Sequence, residues 1–232
     1  MSDDVLPDEA GEEVLDVATG TGWSARNAAR MGARVTAVDI APALIRAAEA
    51  LSGPATAAID YQVADAEDLP FADGRFDRVI STFGVMFAGD HLQAARELAR
   101  ICRKDGRLCL ATWARDGAVA QFFSVLAGHN AAPPPPASPL LWGDPDYLRA
   151  LLGGDFVLAF EPGVSHAYHD SVDDVWSWYL RGFGPLRTIH DNLDAAGRVA
   201  LKRDVDAYHR HYQVEAGLHI RREYLLTIGR RR

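Results

Sequence analysis

Cysteine and lysine are nearly absent from the 232 residues: Cys102 and Cys109, Lys104 and Lys202 are all there are. The two cysteines form no CxxC pair, which removes zinc-ribbon and dithiol chemistry and leaves both thiols as expected core residues. No apolar run reaches the ~18 residues that a membrane span requires. The acidic segment Met1 to Gly11 also lacks the basic-then-apolar pattern of a secretion leader. A cytoplasmic setting without a membrane partner is therefore expected. The net charge is −8, with 24% charged and 48% hydrophobic residues. That excess of acid argues against a large phosphate-binding surface, so no nucleic-acid partner is expected. Arg230, Arg231 and Arg232 read as a solvated end. Metal-ligand spacing is missing too. His166 and His169 point to opposite faces of an extended segment, and His209 and His211 do not share a helix face.

What is present is an alternation of short apolar runs with helical stripes. Val14-Leu15-Asp16-Val17 suits a strand buried on both faces, and Thr19 to Gly22 supply two glycines for a tight turn. From Trp23 a helix follows, with Ala25, Ala28 and Ala29 on one stripe. Arg34–Asp39 is a second strand, and Leu44, Ala47, Ala48 and Leu51 mark a helix opened by Pro42. Ile59–Val63 and Phe76–Ser81 are the third and fourth strands. Leu92, Ala95, Leu98, Ala99 and Cys102 mark the next helix, before a strand at Arg107–Trp113. This rhythm predicts right-handed βαβ crossovers and a parallel sheet.

Beyond Trp113 the texture changes. Ala131–Pro139 carries Pro133 to Pro136 in one run, which cannot be helix interior and reads as an extended connector or part of a lid. A short helix at Asp146–Leu152 and a strand at Phe156–Phe160 follow. Ser171 caps an amphipathic helix of Val172, Val175, Trp176, Tyr179, Leu180 and Phe183. Leu201, Val205, Tyr208 and Tyr212 predict another, ahead of a last strand at Leu218–Ile228. The expected division is 1–113 as a cofactor-binding core, 114–155 as a Pro-rich connector or lid, and 156–232 as strands with inserted cap helices, in the same domain.

Gly20-Thr21-Gly22-Trp23-Ser24-Ala25 fits the permissive G-x-G-x-x-G/A pattern, with Asp39 at a distance suited to ribose hydroxyls. Alone, that admits an NAD(P)-dependent oxidoreductase. Asp16, two residues before the turn, would repel a pyrophosphate and favour a ligand carrying an ammonium and a sulfonium, as S-adenosylmethionine does. Asp65, ending the third strand, is placed to meet an adenine amine. Three acids thus fall at the C-terminal edge of three successive strands, where open α/β sheets bind ligands.

These residues carry a resemblance. Val14–Gly22, Val38-Asp39, the loop Asp65-Ala66-Glu67-Asp68-Leu69-Pro70-Phe71 and the segment Phe76 to Phe87 resemble the motifs of class I S-adenosylmethionine-dependent methyltransferases. The texture is nearest to the ubiquinone and menaquinone C-methyltransferase-like subgroup. The resemblance implies an α/β, Rossmann-like, seven-stranded sheet, mostly parallel with an antiparallel last strand, and a helical cap. It also implies S-adenosylmethionine as cofactor, held by Asp16, Ala18, Gly20, Gly22, Asp39, Ile40, Asp65, Ala66, Glu67, Ser81 and Phe83. A small-molecule acceptor is expected, methylated on O, C or N; a non-catalytic S-adenosylmethionine-binding protein is the further alternative. Ser81-Thr82-Phe83-Gly84 stands where methyltransferases of nucleic-acid base amines carry an N/D-P-P-Y/F motif, which lowers that substrate class. His91 is a candidate general base, its ordinary pKa of ~6.5 suiting the task, against a plainer role at a helix start. Met86, Trp142, Trp176 and Tyr179 are candidates for an acceptor pocket, against a plainer role in a core. Two departures from the family stand out: Ala18 replaces a frequent glycine, and Arg103-Lys104-Asp105-Gly106 replaces a Pro-Gly-Gly turn.

Overall fold

The computed structural model describes residues 11–56 and 58–232, so the acidic segment read at Met1 to Gly11 lies, apart from Gly11, outside them. Strands and helices alternate from the start: β1 (Glu13–Val17), α1 (Trp23–Arg30), β2 (Arg34–Asp39), α2 (Pro42–Ala50), β3 (Asp60–Val63), β4 (Phe76–Thr82), α3 (His91–Ile101) and β5 (Cys102–Trp113). Then come α4 (Ala118–Ala127), α5 (Pro145–Leu152), β6 (Phe156–His169), α6 (Val172–Gly182), α7 (Gly184–Asn192), α8 (Ala195–Arg210), β7 (Gln213–Val214) and β8 (Gly217–Arg231).

The strands run in the order β3-β2-β1-β4-β5-β8-β6, with β7 paired antiparallel to β8 off that path. β1 to β5 pair in parallel, and the last strands are antiparallel. The expected seven strands are thus the main path, and β7 adds an eighth of two residues. Register is set by apolar residues on both faces: Val14, Leu15 and Val17 are all fully buried, as a strand flanked by helices requires. Asp16 pairs with Ala37 and with Ile80, and Asp39 with Val63, so the C-terminal ends of β1 to β4 come out level along one edge.

The chain divides into two compact units. Of the described residues, the first comprises those up to Thr112, Pro136–Pro162 and Leu225–Arg232; the second comprises Trp113–Pro135 and Gly163–Tyr224. This redraws the expected boundaries. The segment 114–155 is split at Pro135, inside the proline run, and α5 goes with the sheet of the first unit. The core of the first unit packs Ala25 and Ala28 of α1 against Val14, Val35, Ala37, Ile59, Ile80 and Cys109. The core of the second joins Phe122 and Leu126 of α4 to Leu186, Ile189, Leu201 and Val205. Among the described residues no helix is long and apolar enough to cross a membrane.

The turn that replaces Pro-Gly-Gly is a bulge at the start of β5. Register jumps from Phe76 opposite Cys102 to Arg78 opposite Arg107, and Asp105 takes the left-handed conformation at φ 62°. Gly106 is required there, because a Cβ would stand 2.8 Å from the Arg103 carbonyl oxygen and 2.9 Å from that of Asp77. Arg103 pairs with Asp77 across the bulge.

Candidate functional site

The turn after β1 is held by its own acid. Asp16 is buried, and its Oδ2 accepts the Thr19 hydroxyl at 2.6 Å and the Ala25 backbone N–H at 3.0 Å. Its Oδ1 is buried without a partner. Burial pushes the Asp16 carboxyl up to about 7; the two hydrogen bonds oppose that rise, and the nearby charge of Asp39 adds to it. Asp39 binds the neighbouring strand ends together: Oδ2 accepts from Gly20 N–H and Oδ1 from Ala41 N–H, each at 2.9 Å.

The glycines of the turn serve different ends. Gly22 sits at φ 78°, and a Cβ on it would lie 2.6 Å from the Tyr61 hydroxyl and 3.1 Å from the Ala48 methyl, so it is needed for helix–strand packing. Gly20, at φ 59°, has nothing within 4 Å of such a Cβ, so its backbone borders open space. Ala18 is left-handed at φ 54°, which costs an L-residue roughly 1–2 kcal/mol. The chain turning back after β4 comes close to it at Gly84, where a Cβ would stand 2.4 Å from the Ala18 carbonyl oxygen and 2.6 Å from its methyl.

The neighbouring strand ends complete the edge. Ile40 stays 65% exposed although apolar and adjacent to Asp39. Asp65 is exposed, with Oδ1 accepting from Glu67 N–H at 3.0 Å; Ala66 beside it is half-buried. Glu67 turns its carboxylate to the loop after β4, where Oε1 accepts from Gly89 N–H at 2.6 Å and Asp90 N–H at 2.9 Å. Ser81 donates to the Val17 carbonyl at 2.7 Å and accepts from Val85 N–H at 3.0 Å, so its hydroxyl locks β4 to β1. Phe83 is left-handed at φ 59°, and its N–H bonds to the Ala111 carbonyl.

The expectations on the acceptor side change. His91 is 4% exposed; its Nδ1 lies 2.9 Å from the Tyr147 hydroxyl, its Nε2 has no partner, and its ring packs edge-on against Trp142. Burial lowers its pKa, with Asp90 and Glu67 opposing, so the ring is neutral and enclosed. It is a packing residue of the first unit rather than a base open to an acceptor. The cause is helical phase. Asp90 caps α3 by accepting from Gln93 N–H, which turns His91 inward and leaves Leu92 49% exposed. Met86 and Trp142 are both 0% exposed and are likewise core, not pocket wall. Trp176 and Tyr179 belong to the second unit, where Trp176 meets His190 edge-on and Tyr179 stacks on Phe122 at 4.8 Å.

Three supporting features had no sequence signal. Glu97 accepts from Leu69 N–H at 2.7 Å, and Arg100 donates to the carbonyls of Leu69 and Phe71, so α3 anchors the acidic loop. The Ser24 and Thr82 hydroxyls meet at 2.8 Å, tying α1 to the end of β4. Tyr147 comes from α5, far along the chain, and nothing local pairs it with His91.

Comparison with known proteins bears on this edge. A family model described as "Methyltransferase domain" matches residues 15–110, which contain every strand end above. An uncharacterized protein of Mycobacterium tuberculosis (strain ATCC 25618 / H37Rv) is 41% identical over 142 residues, 61% of this chain and 52% of that protein. The chain thus spans about half the length of the first curated relatives it matches. A demethylmenaquinone methyltransferase of Clavibacter sepedonicus is 30% identical over 209 residues, 87% of this chain and 76% of the relative. Among solved structures, the YcgJ protein of Bacillus subtilis superposes with a TM-score of 0.64 at 18% identity over 97% of this chain and 93% of its own, a likeness of fold. Family match, long relative and sheet edge agree, and they set the oxidoreductase alternative aside: the chain belongs to the class I S-adenosylmethionine-dependent methyltransferases.

Proposed function

We propose that this chain transfers the methyl group of S-adenosylmethionine to a small-molecule acceptor. The observation that carries the assignment is the Gly20–Asp39 pair. One carboxylate fixes the backbone of a turn that borders open space, and each of its oxygens keeps a second lone pair for ribose hydroxyls. Ile40, exposed beside it, offers an apolar face to adenine, and Asp65 an acceptor for the adenine amine. The N-terminal turn of α1 favours the same ligand. Asp16 already accepts the Ala25 N–H, which occupies a donor that a pyrophosphate would need and sets a carboxyl beneath it.

When bound, S-adenosylmethionine supplies an electrophilic methyl whose C–S bonding electrons return to sulfur as the acceptor's electron pair forms the new bond. The residues of this chain bind and orient. Asp39 and Asp65 fix the two ends of the nucleoside, and Ser81 with Glu67 hold the loop after β4 in register with the turn at Gly20. Positioning of this kind can supply about 7–11 kcal/mol of a bimolecular barrier at the upper end. A net charge of −8 and the sequence Ser81-Thr82-Phe83-Gly84 favour a small acceptor over a nucleic-acid base.

Calorimetric titration with S-adenosylmethionine, S-adenosylhomocysteine and NAD tests the assignment. The first two should bind and NAD should not, and Asp65→Ala should weaken both by about fivefold, the loss of roughly one hydrogen bond of ~1 kcal/mol to an exposed acid. Heat from NAD with none from S-adenosylmethionine would overturn it.

A further inference from the structure

The second unit contains a cavity of its own, of about 130 Å³, outside the residues that the family model matches. Its wall is aromatic, with Trp113, Phe122, Trp178 and Tyr179 among the lining residues, and it includes two polar side chains, His209 and Arg222. An engineered apolar cavity of ~150 Å³ takes up benzene, so the size suits one six-membered ring.

Both polar residues are short of partners. Arg222 donates from Nη2 to the Ser165 hydroxyl at 3.0 Å and lies with its guanidinium carbon 5.5 Å over the Trp113 ring. Its Nε is buried with no acceptor. Among the described residues no carboxylate pairs with it, and burial lowers its pKa. A half-buried cation without a counter-ion is an unfavourable arrangement for folding alone and a favourable one for capturing an anion. His209 is fully buried. Nδ1 lies 2.7 Å from the Val205 carbonyl, which can only accept, so Nδ1 carries the proton, while Nε2 has no hydrogen-bond partner and the ring is enclosed by Phe122, Tyr179 and Tyr208. Burial lowers its pKa and keeps it in that neutral state.

We propose that this cavity binds a single-ring aromatic carboxylate, with the ring against the aromatic walls and the carboxylate on Arg222. The site goes beyond methyl transfer from the sheet edge and does not depend on it.

Titration of the full chain without S-adenosylmethionine tests the site, using 4-hydroxybenzoate, benzoate, benzyl alcohol and cyclohexanecarboxylate in a calorimeter. Saturable binding is expected for 4-hydroxybenzoate and benzoate, and at least tenfold weaker binding for the uncharged alcohol and the non-aromatic acid. Arg222→Met should remove the preference for the carboxylate over the alcohol, and Val119→Phe, which fills the cavity from another wall residue, should abolish binding of all four. Circular dichroism checks that each variant folds; if Arg222→Met does not, the comparison of ligands on the parent chain and Val119→Phe decide. Equal affinity for 4-hydroxybenzoate and benzyl alcohol, no saturable binding, or binding untouched by Val119→Phe would overturn the proposal. Because no S-adenosylmethionine is present, such a failure leaves methyl transfer standing.

Discussion

The buried carboxyl of Asp16 makes the stability of this protein depend on pH in a direction opposite to that of most acids. Its pKa rises from 3.8 to about 7 because burial disfavours the ionised form more than the Thr19 and Ala25 hydrogen bonds favour it. Between those two values the folded chain keeps a proton that the unfolded chain has released. Stability therefore falls as pH rises, and levels off above the folded pKa. For a single group shifted this far, linkage gives a loss of about 2–3 kcal/mol between pH 5 and pH 8. His91 and His209 act the other way. Burial lowers both, so the unfolded chain takes up protons first as pH drops, and their contribution grows as pH rises toward 6.5. The Asp16→Asn variant separates these terms. Its side-chain oxygen can still accept from Thr19 and Ala25, it does not titrate, and the histidines are common to both chains. Urea denaturation at half-unit steps from pH 5 to 8 should show the parent losing stability relative to Asp16→Asn by about 2 kcal/mol, with most of the change below pH 7. Parallel curves over that range would refute the assignment of a raised pKa and the desolvation argument behind it.

Two further substitutions probe the packing. Gly22→Ala should cost about 2–4 kcal/mol in denaturant midpoint studies, since it combines a left-handed backbone with overlap against the Ala48 methyl; a cost under ~0.5 kcal/mol would mean the turn moves freely. Tyr147→Phe leaves the second nitrogen of His91 without a partner and should destabilise by ~1–3 kcal/mol, while S-adenosylmethionine affinity stays unchanged in calorimetry; an affinity loss would put His91 back at the ligand.

Of the first five strands, β1, β2, β4 and the later part of β5 were legible because buried parallel strands leave apolar runs; β3, an edge strand of Asp-Tyr-Gln-Val, is half-exposed, and β5 begins at Cys102, five residues before the expected Arg107. Three other features were not legible. β6 runs on from Phe160 to His169 through Pro162 and Gly163, a sequence that does not look like a strand; it is tolerated because β6 is at the sheet edge, where a missing N–H costs little. α4 is apolar on most sides, Ala118 to Ala127, and so shows no stripe. The phase of α3 followed its cap at Asp90 rather than Leu92. At the candidate site, the position of the acids at the strand ends was legible but their hydrogen bonds were not. Sequence spacing places Asp16 at the edge; only the fold reveals that it reaches the backbone of α1 and keeps one oxygen unpaired. Of the residues expected around an acceptor pocket, Met86 and Trp142 are buried in the first unit and Trp176 and Tyr179 pack in the second, because large aromatics mark burial without saying in which core.

The close approach of Gly84 to Ala18 separates two constraints that look like one. A Cβ at 84 would overlap the Ala18 methyl, which a glycine at 18 would remove, but it would overlap the carbonyl oxygen more severely, and every residue carries that oxygen. The unusual alanine in the turn is therefore a local matter of backbone strain, free to drift toward glycine in related chains. The glycine sixty-odd positions later answers to the path of the main chain itself, and no exchange at 18 relieves it.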